Sequence, residues 1–149
     1  MSLIWTHNLS VGIRRFDEDH KKLIEFVNAL QKAIYDAQAD GVINPVEIDV
    51  ALRRMKRHAN LHFADEEAAM EKSSFPGLEE HRAEHLKFNA VVADMTKRYT
   101  GSSELHHADE IAQFLSDWVT DHVYRVDAKY VDHLHKHELD WCLDDEEIA

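Results

Sequence analysis

The fold is decided by the stretch 44–77, which reads NPVEIDVALRRMKRHANLHFADEEAAMEKSSFPG. Asn44 can cap a helix, Pro45 suits the first helical position, and Glu47 stands where a capping box needs an acid. Apolar residues then recur at helical spacing to about Lys72, after which SSFPG interrupts the pattern. The stretch therefore predicts one long amphipathic helix that ends in a turn. The apolar positions that define its period are Val50, Leu52, Met55, Leu61, Phe63 and Met70.

Three further segments show the same helical period, at about 17–39, at about 78–99 and from about 104 to at least 135. Gly41 follows the first of these segments, and Gly101 follows the second, so each has a stop signal. Four amphipathic helices joined by short connections predict an all-α fold, an up-down-up-down antiparallel four-helix bundle.

The composition agrees with long helices in one domain. The 149 residues include 4 Gly and 2 Pro, well below the average usage of about 7% and about 5%. The hydrophobic fraction of 44% is too high for a disordered chain, and this length favours one domain. We expect a single domain with an extended N-terminal arm at 1–16, the bundle at about 17–138 and an acidic tail at 139–149.

Charge, cysteine content and hydropathy exclude several classes of protein. Lys plus Arg is 17 and Asp plus Glu is 29, and the resulting charge of −12 repels nucleic acid. Cys142 is the only cysteine, which excludes an intrachain disulfide and a cysteine-based zinc or iron–sulfur site. No run approaches the ~18 apolar residues of a membrane span, and residues 1–7 lack the pattern of a secretory signal. We expect a cytoplasmic protein, monomeric or weakly homo-oligomeric, that binds neither nucleic acid nor membrane.

Imidazole and carboxylate side chains occur on every predicted helix at positions that meet at one end of the bundle. His81 and His85 are four residues apart and therefore share a helix face, as do His62 and Glu66. In an antiparallel bundle the start of the first helix lies beside the end of the second, the start of the third and the end of the fourth. This convergence predicts a metal centre. Its candidate ligands are His20, His62, Glu66, His81, His85, His122 and Asp127.

Five imidazoles and two carboxylates are too many ligands for one ion, and a structural zinc site needs fewer. They suit two ions joined by bridging carboxylates, and the mixed nitrogen and oxygen donors favour a pair of iron ions. Asp127 is the weakest member geometrically, because five residues of regular α-helix place it about 140° from His122. A local distortion of the helix would bring the two side chains to one face, and such distortions occur at functional sites.

The order of these residues resembles that of the bacterial hemerythrins over about residues 5–134. The motifs that carry the likeness are Trp5, Val11-Gly12-Ile13, Asp17 and His20, then His62-Phe63-Ala64-Asp65-Glu66-Glu67, Pro76-Gly77, His81-x3-His85 and Trp118-x3-His122-x4-Asp127-x2-Tyr130. The resemblance implies two non-haem iron ions. It also implies reversible binding of dioxygen for storage, delivery or sensing, and it assigns no catalytic residue. A sensor would need a separate partner protein.

The resemblance also divides the ligands between the two ions. It implies that one iron is held by His81, His85 and His122 and the other by His20 and His62, with Glu66, Asp127 and an oxo or hydroxo group bridging both. The iron with two histidines would keep an open position, where dioxygen binds. We expect a dry pocket beside the irons that limits proton access, lined by Phe63, Met70, Trp118 and Val123.

Several residues depart from the family pattern or lie beside it. His58, one turn before His62, is expected to stand behind the ligands or to line the pocket, or else to act as a sixth ligand or proton relay. The hydroxyl of Tyr124 either approaches bound oxygen or belongs to a ring packed sideways. Asp19 stands where the family commonly has Gln, and is either a surface residue or tunes His20. The histidines at 106, 107, 133, 135 and 137 are expected to be solvated.

Three functions therefore remain open at this stage. The first is an oxygen carrier, which we favour and which is not an enzyme. The second is a di-iron enzyme on the same scaffold, a peroxidase, an oxidase or a nitric-oxide-handling protein. The third is an acidic helical interaction module with incidental histidines. A protonatable group in the pocket would favour the enzyme, and a lack of iron in the purified protein would favour the interaction module.

Overall fold

The computed structural model describes residues 3–40, 45–100 and 105–136, and all of its regular elements are helical. The predicted all-α four-helix bundle is confirmed. A short 3-10 turn at His7–Leu9 precedes α1, and the fourth rod of the bundle is made of α4, a π-helical segment and α5. The bounds are Arg14–Asp40 for α1, Pro45–Lys72 for α2, Leu78–Thr100 for α3, Leu105–Asp121 for α4, His122–Asp127 for the π segment and Ala128–Lys136 for α5.

The helices surround the bundle axis in chain order. α1 packs against α2 and α4, and α3 packs against the same two helices. The start of α1, the end of α2, the start of α3 and the π segment therefore meet at one end of the bundle. α1 begins three residues earlier than its apolar period indicated, and the tail from 137 onward lies outside the described residues.

Buried apolar side chains form two clusters with a polar layer between them. The larger cluster, here called the main core, fills the middle and far end of the bundle, and the smaller one, here called the end cluster, includes Val11 and Ile13 of the N-terminal arm. On α1, Phe16 lies in the end cluster, Leu23 lies in the main core, and the buried His20 stands between them. The same order recurs as Met70, Glu66 and Phe63 on α2, and as Tyr130, Asp127 and Val123 along the fourth rod.

The N-terminal arm is fixed to α1 by a side chain of that helix. Asp17 accepts hydrogen bonds from Ser10 Oγ at 2.6 Å and from the Val11 amide at 2.8 Å. Gly12 follows with a φ of +70°, and a Cβ at this position would lie 2.8 Å from Nε2 of His135. The left-handed backbone therefore favours glycine here, and the ring of His135 would have to shift to admit a Cβ.

Two histidines of α5 that the sequence placed in solvent also bind backbone carbonyls, and His135 is exposed while His133 is half-buried. The His135 ring donates from Nε2 to the carbonyl of Val11 at 3.3 Å, and the His133 ring donates to the carbonyl of Ser73 at 2.8 Å. These bonds join α5 to the arm and to the turn after α2. His137 lies outside the described residues, as do the side chains of His106 and His107.

Within the described ranges, no helix is long and apolar enough to cross a membrane.

Candidate metal centre

The seven candidate ligands meet in the polar layer between the main core and the end cluster. All seven are buried, and Glu66 and Asp127 are 0% exposed. Their ligand atoms form two overlapping groups, and within each group these atoms lie within 4.8 Å of one another. Glu66 and Asp127 belong to both groups. The first group adds His81, His85 and His122, and the second adds His20 and His62.

The two oxygens of Asp127 face different groups. Oδ1 lies 2.9 Å from Nε2 of His122 and 3.0 Å from Nε2 of His81, whereas Oδ2 lies 3.1 Å from Nε2 of His20. This carboxylate therefore spans the gap between the groups, as a bridging ligand does.

Glu66 spans the same gap from α2. Its Oε1 atom lies 3.2 Å from Nε2 of His62 and 3.4 Å from Nε2 of His85. One carboxylate from each side of the bundle thus faces histidines of both groups.

A π-helical segment explains how Asp127 reaches the centre. The helix widens over His122–Asp127. In a regular α-helix these two side chains would point about 140° apart. In a π turn the hydrogen bond runs from residue i to residue i+5, so the side chain five positions after His122 returns to the same face. The structure thus contains the local distortion that the sequence required.

The unsatisfied atoms of this layer test whether metal ions fit there. A buried polar atom without a partner costs about 1–3 kcal/mol, and six atoms that face the two groups have no hydrogen-bond partner. They are Nε2 of His81, His85 and His122, Oε1 of Glu66, and both carboxylate oxygens of Asp127. In the second group, Nε2 of His62 lies 2.9 Å from Nε2 of His20. Cations between these atoms would satisfy them, and a donor set of nitrogen and oxygen suits iron.

Two carboxylates outside the ligand set hold ligand rings in place. Nδ1 of His62 donates to Oδ2 of Asp19 at 2.7 Å, and Nδ1 of His85 donates to Oε2 of Glu67 at 2.7 Å. Each bond fixes the tautomer that leaves Nε2 free for a metal. Asp19 thus contacts His62, the ligand on the neighbouring helix, and not His20 beside it in sequence. The sequence assigned no role to Glu67.

Tyr130 supports the centre from the end cluster. Its hydroxyl donates to Oε2 of Glu66 at 2.5 Å, and its ring stacks on His81 with centroids 5.6 Å apart. Burial, together with the charges of Glu66 and Asp127, raises the pKa of the Tyr130 phenol well above its ordinary value. The phenol therefore stays protonated and acts as a donor. In the sequence, the motif Asp127-x2-Tyr130 had already singled out this tyrosine.

Aromatic rings cover the histidines on the side of the main core. Phe63 stacks on His85 with centroids 3.9 Å apart, and Trp118 stacks on His122 at 4.2 Å. Val123 is buried in the same cluster.

Met70, expected in this wall, lies in the end cluster on the opposite side of the ligand layer. It follows Glu66 by one helical turn and therefore points beyond the ligand layer, toward the end of α2. Phe16, which the sequence did not single out, packs edge-on against His62 at 5.5 Å.

Neither His58 nor Tyr124 belongs to the ligand set, and His58 lies behind it, against Asp19. His58 lies outside both ligand groups, is 23% exposed, and donates from Nε2 to the backbone carbonyl of Asp19 at 3.1 Å. Tyr124 is 63% exposed. A residue two positions after His122 points away from the face that His122 occupies, so the Tyr124 hydroxyl does not approach the ligands.

Without metal, the centre holds positive imidazoles beside negative carboxylates. Burial opposes the charged form of His62, but Glu66 and Asp19 outweigh it and raise its pKa to about 10. Burial likewise opposes charge on His20, but the nearby carboxylates of Asp127 and Glu66 raise its pKa above the ordinary value. The pKa of Glu66 is lowered by the neighbouring histidines in spite of its burial. Metal binding must therefore displace protons from the imidazoles.

Comparison with known proteins agrees with this geometry. The family model described as the hemerythrin HHE cation binding domain matches residues 11–134. A bacteriohemerythrin of Stenotrophomonas maltophilia is 30% identical over 138 residues, covering 91% of this chain and 83% of the relative. A bacteriohemerythrin of Methylococcus capsulatus is 32% identical over 115 residues, covering 76% of this chain and 82% of the relative.

The match extends to a myohemerythrin and to solved structures. A myohemerythrin of Riftia pachyptila is 28% identical over 127 residues, covering 85% of this chain and 89% of the relative. A crystal structure of a hemerythrin mutant superimposes with a TM-score of 0.75 at 29% identity, covering 90% of this chain and 98% of the other. The matched region contains all seven residues of the polar layer, and the chain belongs to the hemerythrin HHE cation-binding family.

Proposed function

We propose that this protein binds dioxygen reversibly at a pair of non-haem iron ions, and that it stores or delivers oxygen. The observation that supports this most strongly is the pair of overlapping ligand groups that share Glu66 and Asp127. Two ferrous ions held there would supply the two electrons that reversible oxygen binding needs. We assign His81, His85 and His122 to one ion, and His20 and His62 to the other.

The unequal numbers of histidines support a single place for oxygen. Three imidazoles and two carboxylate oxygens serve the first group, but only two imidazoles serve the second. Since both carboxylates are shared, the His20/His62 side is one ligand short of its neighbour. We propose that this side keeps the open position.

The residues around the ligands favour a carrier that protects its oxygen. Phe63, Trp118 and Val123 exclude water on the side of the main core, and Phe16 covers the His62 ring from the other side. Tyr130 keeps its own proton, donates a hydrogen bond to Glu66 and so fixes the position of that carboxylate. A dry, enclosed site limits the supply of protons that would release reduced oxygen.

The structure gives the enzyme alternative no specific support. His58 and Tyr124 were the two groups that could have supplied protons in the pocket. The first binds the carbonyl of Asp19, and the second is 63% exposed.

An optical titration under anaerobic conditions tests the proposal. Protein purified without added metal should hold two iron ions per chain. Its reduced form should develop a visible charge-transfer band with oxygen and lose the band on deoxygenation, over repeated cycles. The variant His122→Ala should lose the band, while His7→Ala, which alters an exposed histidine of the arm, should keep it. Rapid irreversible oxidation with turnover of peroxide would point to the enzyme, and protein without iron would contradict both metal functions.

A further inference from the structure

Asp19 and Glu67 stand in equivalent places on the two sides of the centre. Asp19 accepts a hydrogen bond from Nδ1 of His62 in the second group, and Glu67 accepts one from Nδ1 of His85 in the first. Both bonds are 2.7 Å long, and the two carboxylate side chains are similarly exposed, at 22% and 25%. The protein therefore contains two matched carboxylate–imidazole pairs, one for each ion.

The charges around the two carboxylates differ. Glu67 is also paired with Arg82, whose Nε lies 3.3 Å from the Oε1 atom of Glu67. In the part of the chain that the structure describes, no Lys or Arg side chain pairs with Asp19. The ring of His58 is 4.0 Å from Oδ1 of Asp19, but it donates its hydrogen bond to the backbone carbonyl of that residue.

This difference affects how strongly each histidine donates to a metal. A carboxylate that accepts the Nδ1 proton draws it away from the ring and makes Nε2 a stronger ligand. A guanidinium beside the carboxylate withdraws part of the negative charge and weakens this effect. His62 is therefore the more strongly polarised ligand, and it lies on the side that has only two histidines.

We propose that Asp19 is a positioning residue for the ion bound by His20 and His62, and that its unshared charge compensates this ion for its missing third histidine. Arg82 has the opposite role on the other side, where it reduces the effect of Glu67 on His85. The inference rests on the proposed function only for the identity of the ions, since any divalent cation in the two groups would experience the same difference.

Titration of the metal-free protein with cobalt(II) tests the inference without oxygen. The variant Asp19→Asn keeps a carbonyl oxygen for Nδ1 of His62 and removes only the charge. Outer hydrogen-bond partners of ligating histidines are worth about 10–100-fold in metal affinity. Asp19→Asn should therefore weaken one of the two binding steps about 10-fold and leave the other unchanged. Glu67→Gln should weaken the other step, by a smaller factor.

Two further variants separate charge from position. Asp19→Glu keeps the charge and should retain more of the lost affinity than Asp19→Asn does. Glu18→Gln removes one charge from the neighbouring exposed residue, which pairs with Lys21, and should leave both steps unchanged. Equal behaviour of Asp19→Asn and Glu18→Gln would overturn the proposal.

The reduction potential of the iron-loaded protein should shift in opposite directions in two variants. Asp19→Asn should raise the midpoint potential, because the ferric state loses a nearby negative charge. Arg82→Gln should lower it, because Glu67 then keeps its full charge. Shifts of the same sign would show that the two carboxylates merely hold the rings in place, and would overturn the inference. If the wild-type protein binds two cobalt ions but no oxygen, the proposed function fails and the cobalt titration still decides this inference.

Discussion

At the scale of single residues, the bond between Tyr130 and Glu66 links the centre to the end cluster. Both side chains are fully buried, and the phenol donates to a carboxylate that is held ionised. Hydrogen bonds to charged groups contribute about 1.5–3 kcal/mol. We expect Tyr130→Phe to lower the free energy of unfolding of the metal-free protein by about 2 kcal/mol, as measured by urea denaturation.

A matched variant controls for loss of a hydroxyl group in general. Tyr35 is 70% exposed, and Tyr35→Phe should leave the urea midpoint unchanged. If both variants unfold at the wild-type midpoint, the bond to Glu66 does not stabilise the folded state.

His58 gives a second prediction at this scale. It lies outside both ligand groups, and its hydrogen bond is to the carbonyl of Asp19. We expect His58→Phe to retain two iron ions per chain, measured by metal analysis of the purified protein, and to lose about 1 kcal/mol of stability with that bond. His62→Phe is the comparison and should lose iron. Loss of iron from His58→Phe would show that this ring is a ligand after all.

At the scale of whole helices, the sequence predicted most of the fold because the signals were local. Apolar period and the break at 73–77 located α2, and the spacing of four between His81 and His85 indicated a shared face. The partners of the ligands were harder to predict. Asp19 lies beside His20 in sequence but contacts His62, because the rotation of α1 against α2 decides which ring it meets.

The π segment accounts for the remaining difference between the sequence and the site. It carries one residue more than an α-helical turn would need, so that Asp127, at position i+5 from His122, occupies the place of i+4 in an α-helix. The additional residue on the solvent side contributes no ligand, and Tyr124 is such a residue. The segment is therefore equivalent to an α-helix with a single insertion.

Deletion of one residue tests this equivalence. We expect removal of Tyr124 to convert the segment to α-helix and to retain two metal ions per chain, because His122 and Asp127 then stand four positions apart on one face. Asp117 is an exposed residue of the regular helix α4, and its removal should abolish metal binding. The deletion turns His122 and Asp127 by about 100° relative to the part of α4 that packs in the main core. Cobalt titration measures both. Loss of metal from the Tyr124 deletion would show that the wide turn itself is required.

At the scale of the whole molecule, the centre divides the bundle into two apolar clusters joined through a charged layer. In the metal-free protein that layer depends on protonated imidazoles, and its contribution to stability depends on pH. The pKa of His62 rises from 6.5 to about 10, so this stabilisation is complete below pH 6.5 and is lost as the pH rises through about 10. The lowered pKa of Glu66 acts in the other direction, since its stabilisation is present above pH 4.5 and is lost on acidification.

We therefore expect the metal-free protein to be most stable between about pH 5 and 6.5 and to lose stability toward pH 10. Urea denaturation at pH 6, 8 and 10 measures the decrease. His62→Gln, which removes the imidazole but keeps a polar side chain, should have a flatter profile over the same range. An increase in the stability of the metal-free wild-type protein from pH 6 to pH 10 would contradict the charged state that we assign to His62.

The metal-loaded protein should show the opposite dependence, because cations and protons compete for the same nitrogens. Each ion binds neutral imidazole, so loading must displace the proton of His62, whose pKa is about 10, and displacing it costs more at pH 6 than at pH 8. The increase in the thermal midpoint on cobalt(II) binding should therefore be larger at pH 8 than at pH 6, and binding in a weakly buffered solution should acidify it. An equal increase at both pH values, without release of protons, would mean that the histidines of the polar layer are neutral before metal arrives. The pairing of imidazolium with Glu66 and Asp127 would then not hold the metal-free bundle together.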